Sequence, residues 1–131
     1  MKILLVDDSP DIIAVLKKLL SKHIDNLEIL EGRDGTAAIE AHERHKDIDV
    51  TIIDKHMPGM NGDDAIVHIR KYINVRAEFI LLTAYRDDAE NELKLGAEHL
   101  KGPTVIMLSK PPSGQSLADL VKVLAMQMED L

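Results

Sequence analysis

Several side chains able to do chemistry follow short apolar runs in this chain. Asp7 and Asp8 follow Ile3 to Val6, Asp54 follows Val50 to Ile53, Thr83 follows Phe79 to Leu82, and Lys110 comes just after Val105 to Leu108. Carboxylates gathered in one place repel one another and raise one another's pKa unless a cation sits among them. An oxygen-only ligand set at an open, partly hydrated position suits Mg²⁺, which keeps several waters and bridges readily to phosphate. Asp54 then becomes a candidate nucleophile toward phosphorus, because an ionised oxygen can attack in line while a metal offsets charge on the transferred oxygens. The Thr83 hydroxyl can donate to one phosphoryl oxygen, and the Lys110 ammonium can pair with another.

Taken singly, each residue has a plainer reading. An Asp-Asp pair before a helix can act as a cap and dipole partner, Asp54 can simply end a strand, Thr83 can cap a helix, and Lys110 can be a surface cation. The chemical reading rests on convergence of all of them at one place, which only the fold can supply.

The apolar runs have strand character. Ile3 to Val6, Val50 to Ile53 and Phe79 to Leu82 show little polar alternation, as in strands covered on both faces, whereas Leu27 to Leu30 is bordered and interrupted by Glu and reads as an edge strand. Val105 to Leu108 supplies a fifth strand. Between them lie segments of helical period. Ser9-Pro10 is an N-cap followed by Pro at the first helical position, with Ile12, Ile13, Leu16, Leu19 and Leu20 on one stripe. Asp34 opens a second helix through Ala38, Ile39 and Ala41, and Asn61-Gly62-Asp63 precedes a third with Ala65, Ile66, Ile69 and Ile73 inward. Ala89, Leu93, Ala97 and Leu100 keep helical spacing in a fourth, and Ser116 with Asp119 resembles a capping box opening a fifth through Leu117, Leu120, Val121 and Leu124.

Strands alternating with helices imply an α/β fold built on a doubly wound, five-stranded parallel sheet of order 2-1-3-4-5, flavodoxin-like, with five surrounding helices. In such sheets ligands bind beyond the carboxyl ends of the strands, where Asp7, Asp8, Asp54, Thr83 and Lys110 fall. With 131 residues and 45% of them apolar, the whole chain 1–131 reads as a single domain without repeat or linker. The net charge of -7 disfavours nucleic acid and anionic membrane as direct partners, and the lack of cysteine excludes disulfides and thiolate metal sites. Apolar runs too short to span a bilayer and the absence of a signal-like segment point to the cytoplasm.

The segments LLVDDSP, TIIDKHMPGMNG, LLTAY and SKPP occur in the order found in the receiver domain of two-component response regulators, which the whole chain resembles. The resemblance implies that Asp54 is the phosphoacceptor, that Asp8 and Asp54 bind Mg²⁺ together with the backbone carbonyl of His56, and that Asp7 acts largely through a metal-bound water. It implies that Thr83 and Lys110 contact the phosphoryl group, and that His56 and Tyr85 occupy places that tune its lifetime. Both are bulky here, which would hinder an attacking water. The implied partners are a histidine kinase or phosphotransfer protein upstream, and downstream a protein or effector domain meeting the face from the fourth to the fifth helix. A homodimer through that face is open.

Two features depart from the family pattern. The position three before the lysine is Met107 instead of the usual aromatic residue, so a flexible thioether stands where the family places an aromatic rotor. The stretch from Gly96 to Lys110 is also long, with an insertion near Glu98 to Thr104. Lys101 competes with Lys110 for the phosphate-binding role, but Gly102 rather than Pro follows it. Functions of other classes remain alongside the phosphorelay reading: a Mg²⁺-dependent phosphohydrolase with an aspartyl nucleophile, a flavin-binding domain of the same topology, or an interaction scaffold that is never phosphorylated. His42 and His45 lie one helical turn apart and are expected on a solvated surface, not in a metal site.

Overall fold

The computed structural model describes residues 1–83, 105–109 and 114–129. They form, in chain order, β1 (Lys2–Val6), α1 (Pro10–His23), β2 (Glu28–Gly32), α2 (Gly35–Arg44), β3 (Val50–Asp54), α3 (Gly62–Tyr72), β4 (Phe79–Thr83), β5 (Ile106–Ser109) and α4 (Gly114–Glu129). The strands are all parallel, in the order β2-β1-β3-β4-β5. Four helices are seen among the described residues; the helix expected over Ala89 to Leu100 lies outside them, as do Tyr85, Lys101 and Lys110.

The starts of α1 and α2 follow from their caps. Ser9 is extended, and its Oγ accepts from the Ile12 amide at 3.3 Å, while Pro10 supplies a helical φ at no hydrogen-bonding cost. Asp34 does the same for α2, accepting from the Ala37 amide at 2.8 Å. The last helix begins at Gly114, so Ser116 lies inside its first turn instead of at the cap. A Ser-x-x-Asp pattern fits either place, because small polar residues accept both first-turn and capping positions.

Period-two alternation along the strands divides the core into two layers. Ile3, Leu5, Val50, Ile52, Ile80 and Leu82 pack with Ile13, Leu16 and Leu20 of α1 and with Leu117, Val121 and Leu124 of α4. Their neighbours Leu4, Val6, Ile53, Phe79 and Leu81 pack with Ala38 of α2 and with Ala65, Ile66 and Ile69 of α3. A sheet sandwiched in this way buries β1, β3 and β4 between helices, while Glu28 and Glu31 of β2 stay exposed at the edge.

His42 departs from the solvated position expected of it. It is 4% exposed, shares a 2.7 Å hydrogen bond between Nε2 and Thr51 Oγ1, and lies 5.6 Å from the Phe79 ring, centroid to centroid. One helical turn after Ala38, it falls on the buried stripe of α2, which the paired His42 and His45 spacing obscured. The Arg70 guanidinium also sits 5.5 Å from the Phe79 ring centroid and donates from Nε and Nη2 to the Ala77 carbonyl at 3.2 and 2.9 Å. Glu78 is also buried there; burial raises its carboxyl pKa, and the Arg70 charge opposes the rise.

Burial, with a smaller contribution from the Lys46 cation, pushes the His42 imidazole down from 6.5 to about 4. The unfolded chain therefore binds a proton at His42 in an interval where the folded chain does not, and folding stability falls as the pH drops from about 6.5 towards about 4. Between these limits the wild type should lose on the order of 2–3 kcal/mol more stability than His42→Gln, at about 1.4 kcal/mol per pH unit. Urea denaturation across this range measures the difference, and parallel pH profiles for the two chains would contradict the assignment.

Candidate functional site

The site lies at the carboxyl edge of β1, β3 and β4. Asp7 leaves β1 with its amide donating to the Gly32 carbonyl at 3.1 Å, and its Oδ1 accepts from the Ser9 amide at 2.9 Å. The α1 cap thus holds both the helix start and the first carboxylate. Asp8, next along this turn, is exposed, whereas Asp7 is 1% exposed.

Asp54 ends β3, paired in register with Leu82 and only 6% exposed. Its peptide with Lys55 is fixed by β4, the Lys55 amide donating to the Leu82 carbonyl at 2.8 Å, and the following peptide is held by α3, the Lys55 carbonyl accepting from the Gly62 amide at 2.9 Å. The turn between β3 and α3 reaches its left-handed conformation at Gly59, where φ is 82°. Thr83 ends β4, fully buried, opposite Ser109 of β5.

These placements bring Asp7, Asp8 and Asp54 together. One carboxylate oxygen from each lies within 4.8 Å of the others. Repulsion between unit charges about 4 Å apart costs about 4 kcal/mol at a protein surface and nearer 1 in water, so the cluster favours a cation. All the donors are hard oxygens and one carboxylate is open to solvent, a set that fits a hydrated, oxygen-seeking divalent ion of the Mg²⁺ kind. Among the described residues this is the one cluster of three or more acidic or imidazole groups placed to hold a metal.

His56 is exposed in the loop after β3. Met107 lies on β5 opposite Leu81, half-buried against the layer that contains α2 and α3. Two close approaches were not legible in the residue types. A side chain at Gly62 would run into the Asp54 carbonyl oxygen, and one at Gly35 would come within 2.7 Å of Met60 Cγ. Asn61-Gly62 reads in sequence as an ordinary turn before a helix; contact with a strand end is a tertiary fact.

The chain matches the family model of the response regulator receiver domain over residues 3–122. It belongs to that family. A curated relative, the nitrate/nitrite response regulator NarL of Escherichia coli K12, is 33% identical over 97 residues, covering 73% of this chain and 44% of NarL. The chemotaxis protein CheY1 of Helicobacter pylori is 37% identical over 70 residues, 53% of this chain and 56% of CheY1. The chain therefore spans about half, or less, of the length of these relatives. Among solved structures, a receiver domain protein from Clostridium thermocellum superimposes with a TM-score of 0.82 at 27% identity, covering 98% of this chain and 96% of that one. The Francisella response regulator 1452 receiver domain gives 0.80 at 25% identity, covering 97% and 98%. The fold and the two-component signalling role of this receiver domain are thereby set, and no described helix is long and apolar enough to cross a membrane.

If the acidic cluster holds Mg²⁺, neutralising its exposed member has opposite effects with and without the ion. Asp8→Asn should melt at a higher temperature than the wild type in EDTA, because one repulsion is gone. It should bind Mg²⁺ at least about tenfold more weakly by calorimetry, equivalent to ~1.4 kcal/mol. Wild-type affinity in this variant would remove Asp8 from the cation site.

Proposed function

We propose that Asp54 accepts a phosphoryl group from a histidine kinase or phosphotransfer protein and that the modified domain binds a downstream protein or effector domain in a different conformation. The observation that carries this reading is the convergence of the Asp7, Asp8 and Asp54 oxygens within 4.8 Å at the edge where Thr83 also ends its strand. Membership of the receiver family supports it.

In the proposed reaction an ionised Asp54 oxygen attacks phosphorus while the bond from phosphorus to the donor breaks, the donor leaving with the electron pair and Asp54 becoming an acyl phosphate. Asp7, Asp8 and Asp54 would hold Mg²⁺, with the His56 backbone carbonyl completing the protein ligands. The ion supplies neutralisation of the charge gathering on the transferred oxygens. Thr83 would donate its hydroxyl to one of those oxygens, and Lys110 would pair with a second. Burial of Asp54 favours a fixed carboxylate over a solvated one, so little reorientation precedes attack. The domain would catalyse only its own phosphorylation and the hydrolysis that reverses it, acting in the cytoplasm as one receiver unit over residues 1–131.

His56 and Tyr85 would crowd the path of the hydrolytic water, and Met107 would replace an aromatic rotor with a flexible thioether in passing the change to the partner surface. The receiving face would lie between the fourth helix expected from the sequence and α4, and it could also mediate homodimers.

Incubation with acetyl phosphate and Mg²⁺ followed by intact mass measurement should show one phosphoryl adduct on the wild type and none on Asp54→Ala. A folded wild-type chain that gains no Asp54-dependent mass would sink the reading. On the phosphorylated protein, replacing His56 and Tyr85 together with small residues should speed loss of the adduct by about tenfold, equivalent to ~1.4 kcal/mol off the barrier. An unchanged decay would leave the two side chains without that role.

A further inference from the structure

Gly62 touches the strand end that carries the acceptor. A Cβ placed on it would press into the Asp54 carbonyl oxygen and come within 3.0 Å of the carbonyl carbon and 3.1 Å of Leu81 Cδ1. The first two are backbone atoms, which cannot swing aside as a side chain can. The Gly62 amide also donates to the Lys55 carbonyl at 2.9 Å, and the Lys55 amide donates to the Leu82 carbonyl at 2.8 Å. The peptide plane after Asp54 is therefore held at its amide by β4 and packed at its carbonyl against Gly62, while the next plane is hydrogen-bonded through the Lys55 carbonyl to the start of α3.

That plane sets the ψ angle of Asp54, and with it the direction in which the Asp54 side chain leaves the backbone. Rotating the plane away from an added methyl would break the Lys55 to Leu82 hydrogen bond or turn the carboxylate out of its position beside Asp7 and Asp8. The geometry points to Gly62 as a positioning residue for Asp54: its lack of a side chain lets α3 begin against the acceptor's own carbonyl and lock the carboxylate at the acidic cluster. This role rests on the proposal that Asp54 is the phosphoacceptor. It differs from an ordinary turn role, which Gly59 illustrates in the same loop: φ there is +82°, yet an added Cβ would meet nothing within 4 Å.

The test compares Gly62→Ala with Gly59→Ala. Both strain the loop between β3 and α3, but only the first intrudes on Asp54. Melting temperature, Mg²⁺ affinity by calorimetry and the rate of adduct formation with acetyl phosphate are measured on each full chain. Gly62→Ala should weaken Mg²⁺ binding and slow phosphorylation at saturating Mg²⁺, each by about tenfold or more, as expected when a reacting group is displaced by a fraction of an ångström. Gly59→Ala should lower the melting temperature with both properties within about twofold of wild type, since its strain is a matter of backbone stability. The double variant Gly62→Ala, Leu81→Ala relieves the side-chain contact but leaves the clash with the Asp54 carbonyl, so the loss should persist in it.

Recovery in the double variant, or a folded Gly62→Ala with wild-type affinity and rate, overturns the positioning role. Should Gly62→Ala fail to fold, deuterium exchange on the wild type decides. Mg²⁺ should slow exchange of the Gly62 amide more than that of the Ile73 amide, which is bonded to the Ile69 carbonyl at the far end of α3. Equal effects on both amides overturn the proposal. A wild type that takes no phosphate at Asp54 overturns the phosphoacceptor reading and this role with it. A wild type that does, beside an unimpaired Gly62→Ala, overturns only the role of Gly62.

Discussion

The pairing of β3 with β1 on one side and β4 on the other is the constraint on which the rest depends. Parallel ladders align strand ends, so a register with Val6 opposite Ile53 and Asp54 opposite Leu82 brings the residues after each strand to one edge. A shift of one residue would exchange the two core layers, moving Ile53 into the layer of α1 and α4 and Ile52 into that of α2 and α3. The register is thus enforced by the whole core, and the acidic edge is its by-product. No local interaction among Asp7, Asp8 and Asp54 could assemble that edge, because like charges separate when left to themselves.

The two ends of the sheet handle charge differently. At the carboxyl edge three carboxylates converge and one is exposed, an arrangement whose repulsion stays ready to be relieved by a cation. At the opposite end of β3 and β4, polar groups are enclosed and largely matched within the protein: His42 with Thr51, and Arg70 with the Ala77 carbonyl and the Phe79 ring. Arg70 Nη1 and Glu78 Oε2 are buried there without a hydrogen-bond partner. Enclosure at that end stiffens the start of the strands whose far ends carry Asp54 and Thr83.

Much of this was legible in the residues. The strand order followed from alternating apolar runs and helical stripes, and the Ser9 and Asp34 caps were visible as residue types in front of a periodic pattern. Asp7, Asp8 and Asp54 could be picked out because each breaks an apolar run at the point where a parallel strand must end. What escaped was tertiary. His42 looked like one of two surface histidines until its place under Thr51 and Phe79 was seen, and Gly62 looked like a turn residue until its distance from the Asp54 carbonyl was known. The start of α4 was misplaced for a different reason, since Ser116 suits a cap and a first turn equally well.

The separation of the core into two layers has a consequence for how motion inside the domain could be watched. Leu4 and Leu5, or Ile52 and Ile53, are neighbours in sequence but send their methyl groups into opposite layers, and among the described residues Phe79 is the single aromatic side chain that is fully buried. Because adjacent residues face opposite layers, their methyl resonances form two independent spectroscopic maps, one for each side of the sheet. A disturbance entering at the acidic edge would imprint one map, the other, or both, and so reveal the side of the sheet through which it spreads.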